Sequence, residues 1–238
     1  MASKQKAQAG VKVKKKIWVS LVAPKMFNEQ IIGETPTYVA TDIIGKVVSA
    51  NLMTLTGDAR KQSIITKLKI VDVKEGKAYT KLERYEMSPP SIKRLVRRKR
   101  ERIDESLVYA TKDGVKLRIK PFILTISLTR SSVVSELRKR LKMFLYKTIA
   151  QTTQEDVFRL VIENKLQKEI GMMLSKIYPI KNVEIRVMHI EKDDAKITPP
   201  PSLREKVKDE EEKLEEKEAE ETEQDPKLAK KEKSSKEE

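Results

Sequence analysis

Cysteine is absent from this chain. No disulfide framework, thiolate nucleophile or cysteine-ligated zinc site can therefore be built from it, and a reducing compartment suits it. Histidine occurs once, at His189, so no histidine pair exists for metal binding or an acid–base relay. The stretch His189-Ile190-Glu191 has the opening of a zinc-deaminase motif without the downstream cysteines that motif needs. The seven glycines are scattered singly, which excludes a Walker phosphate loop and a dinucleotide fingerprint. No apolar run approaches the roughly 20 residues of a spanning helix, and the amino-terminal stretch has no apolar signal core. A soluble, intracellular, cytoplasmic protein without cofactor or metal is expected.

Carboxylates are the one remaining source of catalytic ligands. Asp104 with Glu105, or Asp193 with Asp194, could in principle hold magnesium. Adjacent residues on a strand point to opposite faces, however, and the second pair sits where a charged tail begins. Catalysis is not expected.

Charge is what the chain has in excess. Of its 238 residues 37% are charged, and the net charge is +15. It is unevenly placed: residues 203–238 hold 10 Lys/Arg against 15 Asp/Glu, a tail of net −5, leaving 41 against 21 on the rest. A body of net +20 calls for a polyanion, because neutralising phosphates releases condensed counterions. RNA, DNA and an anionic membrane surface all qualify, the membrane least.

Residues 1–16 read as a basic disordered arm, with Lys4, Lys6, Lys12, Lys14, Lys15 and Lys16. Residues 17–130 carry mostly β signals, with strand-like runs over 47–55, 64–73, 77–86, 102–110 and 115–128. Glu75-Gly76 and Asp113-Gly114 supply hairpin turns and Thr56-Gly57-Asp58 a further loop. This spacing predicts an antiparallel, barrel-like body. One helix is inserted, starting at Ser88-Pro89-Pro90 and running through Ile92, Leu95, Val96 and Ile103. Beyond Arg130 the period becomes helical, with Val134, Leu137, Leu141, Phe144, Leu145 and Thr148 on one face. A second helix follows from a capping box, Thr152 with Glu155, along Phe158, Ile162, Leu166, Ile170, Met173 and Ile177. After Tyr178-Pro179, Val183, Ile185, Val187 and His189 alternate against Glu184, Arg186 and Met188 as a half-buried strand, which makes His189 a structural histidine on the apolar face. The expected class is thus α+β: a barrel-like RNA-binding body over 17–130, a helix–helix–strand unit over 131–192, and an acidic disordered tail over 193–238.

Candidate RNA contacts follow from clustered cations. Lys116, Arg118 and Lys120 alternate with Val115, Leu117 and Ile119, giving a strand one face apolar and one face cationic. Lys93, Arg94, Arg97, Arg98, Lys99, Arg100 and Arg102 crowd the inserted helix, and folded RNA offers closely spaced phosphates to offset their repulsion. Arg138, Lys139, Arg140 and Lys142 repeat the pattern on the next helix, where a solvated face explains them as well. Trp18, beside Lys14, Lys15 and Lys16, stacks on a base or fills the core; sequence leaves both open.

Trp18, Ala23-Pro24-Lys25-Met26-Phe27, Gly33-Glu34-Thr35-Pro36, Leu55-Thr56-Gly57-Asp58 with Lys61-Gln62, and Ile177-Tyr178-Pro179 with Asn182-Val183 share their order and spacing with one family. Over residues 17–190 the chain resembles the archaeal and eukaryotic small-subunit ribosomal protein S-three-A-e family, eukaryotic S-one in newer naming, and its archaeal type. The resemblance implies a structural protein bound to small-subunit ribosomal RNA on the platform near the messenger exit channel, beside other platform proteins and within reach of messenger RNA. It adds Lys25, Asn28, Arg60, Lys61 and Gln62 to the RNA contacts. A free regulatory RNA-binding factor is the alternative. Removing the charges of Arg60 and Lys61 should weaken incorporation into subunits; unchanged incorporation, measured by sedimentation, counts against that loop.

Overall fold

The computed structural model describes residues 15–191, 195, 197 and 198. Lys14 and the arm before it, the Asp193-Asp194 pair and the tail past Thr198 lie outside the described residues.

Nine strands and five helices alternate in an α+β order: β1 (Ile17–Val22), β2 (Ile31–Thr37), β3 (Val47–Asn51), α1 (Leu52–Thr56), β4 (Ile64–Lys74), β5 (Lys77–Met87), α2 (Pro89–Leu95), β6 (Arg102–Asp104), β7 (Leu107–Ala110), β8 (Lys116–Thr125), α3 (Ser131–Gln151), α4 (Gln154–Ile162), α5 (Lys165–Ser175) and β9 (Ile180–Ile190). The β4–β5 turn places Glu75 at φ 51° and Gly76 at φ 73°, the pair of positive dihedrals whose twist matches the flanking strands.

β5 is the hub of the sheet. One edge pairs with β4 along its length; the other is divided between β1, in parallel at Lys77 to Tyr79, and β9, antiparallel at Arg84 to Glu86. β8 divides its outer edge in the same way between β7 and β6. This division is why the expected barrel does not close: each long strand hands its edge from one neighbour to another, and among the described residues no ladder joins β2, β3, β6 and β7 to each other. The sheet is open, and its one parallel ladder departs from the antiparallel expectation.

α3, α4 and α5 cover one face. Leu137, Leu141, Leu145, Phe158, Leu166 and Ile170 pack there against Tyr85, Leu117, Ile119, Ile123, Ile185 and Met188. Residues 17–130 and 131–190 thus share a single core, with β9 running between β5 and β8. A smaller cluster of Val19, Leu21, Ile43, Ile70 and Ala78 closes the β1 end. No helix among the described residues is long and apolar enough to cross a membrane.

Local hydrogen bonding redraws several expected elements. The run over 47–55 stops as a strand at Asn51, whose side chain accepts from the Met53 N–H at 2.9 Å and caps α1. The run over 102–110 breaks because Glu105 turns away to meet Arg138 and Lys142 of α3, each at 3.3 Å. α2 ends at Leu95, and Ser88 bonds the Ser91 hydroxyl at 3.0 Å rather than a helix N–H. Ile103 belongs to β6, not to this helix, and residues 97–100 form a loop with Lys99 at φ 62°. Successive cations gain nothing from a helix that would hold their charges together.

The long helix over 152–177 is two helices, broken where Asn164 adopts φ 58°, a conformation Asn tolerates better than most residues. Gln167 secures the break, donating to the Val161 carbonyl at 3.0 Å and to Asn164 Oδ1 at 3.1 Å. The cap is Thr153, accepting from the Asp156 N–H, whereas Thr152 donates back to the Thr148 carbonyl at 2.8 Å.

The alternation of β9 also changes phase. Lys120 pairs with Val187 but Pro121 with Ile185, so Arg186 is an extra residue in a β-bulge. Met188 therefore points into the core, and His189 moves to the opposite, cationic face, correcting its expected place among apolar neighbours.

Glu184, opposite Phe122 on β9, is largely withdrawn from water, and this burial holds its carboxyl above the ordinary range. An acid whose folded pKa is raised stabilises the fold while protonated, and that stability is lost as pH rises through the raised value. Glu184→Gln should therefore raise the melting temperature at neutral pH and leave it unchanged near pH ~4, as thermal unfolding across pH would show.

Candidate nucleic-acid interface

Alternation along β8 separates two chemistries. Leu117 and Ile119 are fully buried beneath the helices, while Lys116, Arg118 and Lys120 stand on the face away from α3–α5. Pairing then fixes their neighbours: Arg118 lies opposite His189, which lies opposite Arg84 on β5, and Lys120 lies opposite Val187, beside Glu86. The cationic stripe legible on one strand is thus one column of a cationic face spread over three.

α2 lies along this face and makes a groove of about 420 Å³ lined by Arg84, Lys93, Arg102, Lys120 and Arg186, with Glu86 as its one acid. Its apolar floor is Met87, Ile92 and Val187. Arg84 meets Glu86 at 3.0 Å, and Arg102 meets Asp104 and lies 5.4 Å from the Phe122 ring centroid. Lys93, Lys120 and Arg186 have no carboxylate partner among the described residues. Like charges held this close repel, and an anion in the groove would relieve the repulsion.

Beside the groove, Arg118 donates from Nε to Glu191 at 2.6 Å, and His189 Nε2 lies 3.0 Å from the same carboxylate. The Arg118 hydrogen bond holds Glu191 below the usual carboxylate range. Burial pushes His189 below its ordinary value, against the pull of Glu191 and with Arg84 and Lys120 adding to the push. The buried Nδ1 of this imidazole has no hydrogen-bond partner among the described residues. Lys116 donates to the Ala195 carbonyl at 2.9 Å.

The other expected contacts fall elsewhere. Arg97 and Arg98 are exposed on the loop joining α2 to β6, and Arg100 is half-buried there, so this cluster lies between two groove-lining elements and does not form a helical stripe. Lys25 and Asn28 are exposed on a 3₁₀ turn anchored by buried Phe27, and Lys25 borders a cavity shared with Gln154, Glu155 and Phe158 on the helix side of the sheet. Arg60 is exposed, but Lys61 is tied to Asp58 at 3.2 Å, and the Gln62 carbonyl accepts from Asn51 Nδ2 at 2.9 Å. On α3, Arg138 and Arg140 are paired with Glu105 and Glu136, with exposed Lys139 between them. Lys15, Lys16 and Trp18 are exposed, which settles Trp18 as a surface residue.

Sequence reasoning passed over Arg84 and Arg186. Arg84 sits in a mixed-charge strand, and Arg186 stands on the face opposite buried Ile185 as simple alternation places it, but on one strand alone it has no cationic neighbours to mark it. Among the described residues no cluster of three or more potential metal-ligating side chains occurs. Asp104 and Glu105 diverge, each beside its own cations.

Comparison with known proteins bears on the same chain. The model of the Ribosomal S3Ae family matches residues 3–194. Similar proteins include the small ribosomal subunit protein eS1 of Staphylothermus marinus, 32% identical over 185 residues, covering 78% of this chain and 87% of that protein. The protein of that name from Sulfurisphaera tokodaii is 32% identical over 185 residues, covering 78% and 95%. That from Methanothermobacter thermautotrophicus is 31% identical over 172 residues, covering 72% and 88%. With its cationic sheet face and a family match over most of its length, the chain belongs to the Ribosomal S3Ae family.

Proposed function

We propose that the chain is a structural constituent of the small ribosomal subunit, in the cytoplasm, and that it lays the face of its sheet opposite α3–α5 on small-subunit ribosomal RNA. The observation that carries the RNA contact is the groove in which Lys93, Lys120 and Arg186 stand together without carboxylate partners. Such a groove accepts phosphates, and the exposed Arg97 and Arg98 extend it along a backbone. Arg102 and Arg84, each held by a neighbouring acid, present guanidinium groups at fixed positions, as recognition of a folded RNA requires. Resemblance to the family supports a site for this contact on the platform near the messenger exit channel, among neighbouring platform proteins. Work of this kind is positioning and charge neutralisation; no bond is made or broken.

The triple substitution Lys93→Ala, Lys120→Ala and Arg186→Ala tests the reading. Each lost phosphate contact lowers the slope of log affinity against log salt by about one, so the variant should lose a slope of about three and dissociate from small subunits at lower salt in sucrose gradients. Retention equal to that of the parent chain would refute the groove as the RNA contact. Recovery of the parent itself mainly as free protein would favour a regulatory factor instead.

A further inference from the structure

The cationic groove leaves unexplained a second surface, on the β1–β2 ribbon. Trp18, the sole tryptophan of the chain, is 63% exposed, and Tyr38 is 49% exposed. The cost of leaving two large rings in water asks for a partner.

Register places them together. Ile17 pairs with Thr37 and Trp18 with Pro36 at the end of the ladder. The chain bends at Tyr38, and the ammonium of Lys16, the residue just before β1, lies 5.7 Å from the Tyr38 ring centroid. Because side chains alternate, Trp18 and Pro36 share one face of the ribbon, while Val19 and Leu21 turn into the small core. The two exposed rings and the Lys16 ammonium thus gather at one end of the ribbon. Lys15 and Lys16 supply positive charge at this end, and Glu34, opposite Ser20, closes the face at the other.

We infer that the Lys16–Trp18–Tyr38 end of the β1–β2 ribbon is a stacking site for an unpaired nucleobase of single-stranded RNA, distinct from the phosphate groove and resting on the RNA-bound reading of the chain. Flat rings accept any base on their π faces, and the ammonium groups meet its flanking phosphates. Paired bases in an A-form helix are already stacked on each other and cannot enter, so the site selects single strands over duplex. The cations of this end favour RNA over an apolar protein segment, which would gain nothing from Lys15 and Lys16.

Trp18 is its own reporter. The full chain would be titrated with a single-stranded oligoadenylate of about ten nucleotides and with an RNA duplex of equal phosphate content, following tryptophan emission and the anisotropy of end-labelled RNA. The site requires that the single strand quench Trp18 to saturation while the duplex leaves it unchanged. Trp18→Ala should weaken single-strand binding about five- to a hundred-fold and spare duplex binding, and Trp18→Phe should restore most of the loss. Equal quenching by both RNAs, or an unaltered affinity of Trp18→Ala, overturns the inference. So does shielding of Trp18 only on adding small-subunit proteins, which would make the face a protein contact. The groove triple variant separates the two claims: it should weaken both RNAs, and if it weakens neither, the groove reading fails whatever Trp18 does.

Discussion

The ladder between β8 and β9 is the constraint on which the rest of the molecule depends. It runs from Leu117 opposite Ile190 to Thr125 opposite Ile180, seating the last described strand between β5 and β8. Its alternation sends Leu117, Ile119 and Ile123 toward α3–α5 and leaves Lys116, Arg118 and Lys120 outside. The extra residue at Arg186 then lets one strand serve two needs: it keeps Ile185 and Met188 in the core while adding His189 to the cationic side that carries Arg186. Without that bulge a strict two-residue period would have placed either Met188 or Ile185 in water.

A core held by apolar contacts on one side can tolerate repulsion on the other. Some groove cations are restrained locally, Arg84 by Glu86 and Arg102 by Asp104 and the Phe122 ring. Exposed ion pairs of this kind add little to stability, but they hold guanidinium groups in place. The unpaired Lys93, Lys120 and Arg186 supply net charge for a partner to neutralise. Order and excess charge in one groove suit a ligand that is itself rigid and polyanionic, as folded RNA is.

Much of this was legible in the sequence because it rested on period. The β4–β5 hairpin, the start of α3 and the two-faced stripe of β8 all declare themselves through apolar spacing and Gly-containing turns. What escaped depended on single residues whose effect is long-range or conformational. Asn164 breaks a stripe that otherwise reads as one helix, and its neighbour Gln167 holds the break through bonds that spacing does not announce. Asn51 turns the end of a strand into a helix by capping it. The cations over 97–100 look helical by proximity to Pro89-Pro90, yet α2 ends at Leu95 and Lys99 takes a positive φ. Arg84 joins the site only through pairing with β9, and pairing partners far apart in sequence leave no local mark. Lys61 has a neighbour that a list of cations does not announce, the Asp58 carboxylate three residues before it.

The central claim is that the face carrying Lys93 and Lys120 meets RNA in the assembled subunit. Amine-reactive labelling read by mass spectrometry, comparing the free chain with intact small subunits, tests this most directly, with Lys147 on α3 and Lys168 on α5 as references on the helix side. The account predicts that Lys93 and Lys120 lose reactivity on assembly by a larger factor than either reference. Reactivity at Lys93 and Lys120 unchanged from the free chain, with Lys147 and Lys168 protected, would contradict it and turn the molecule around.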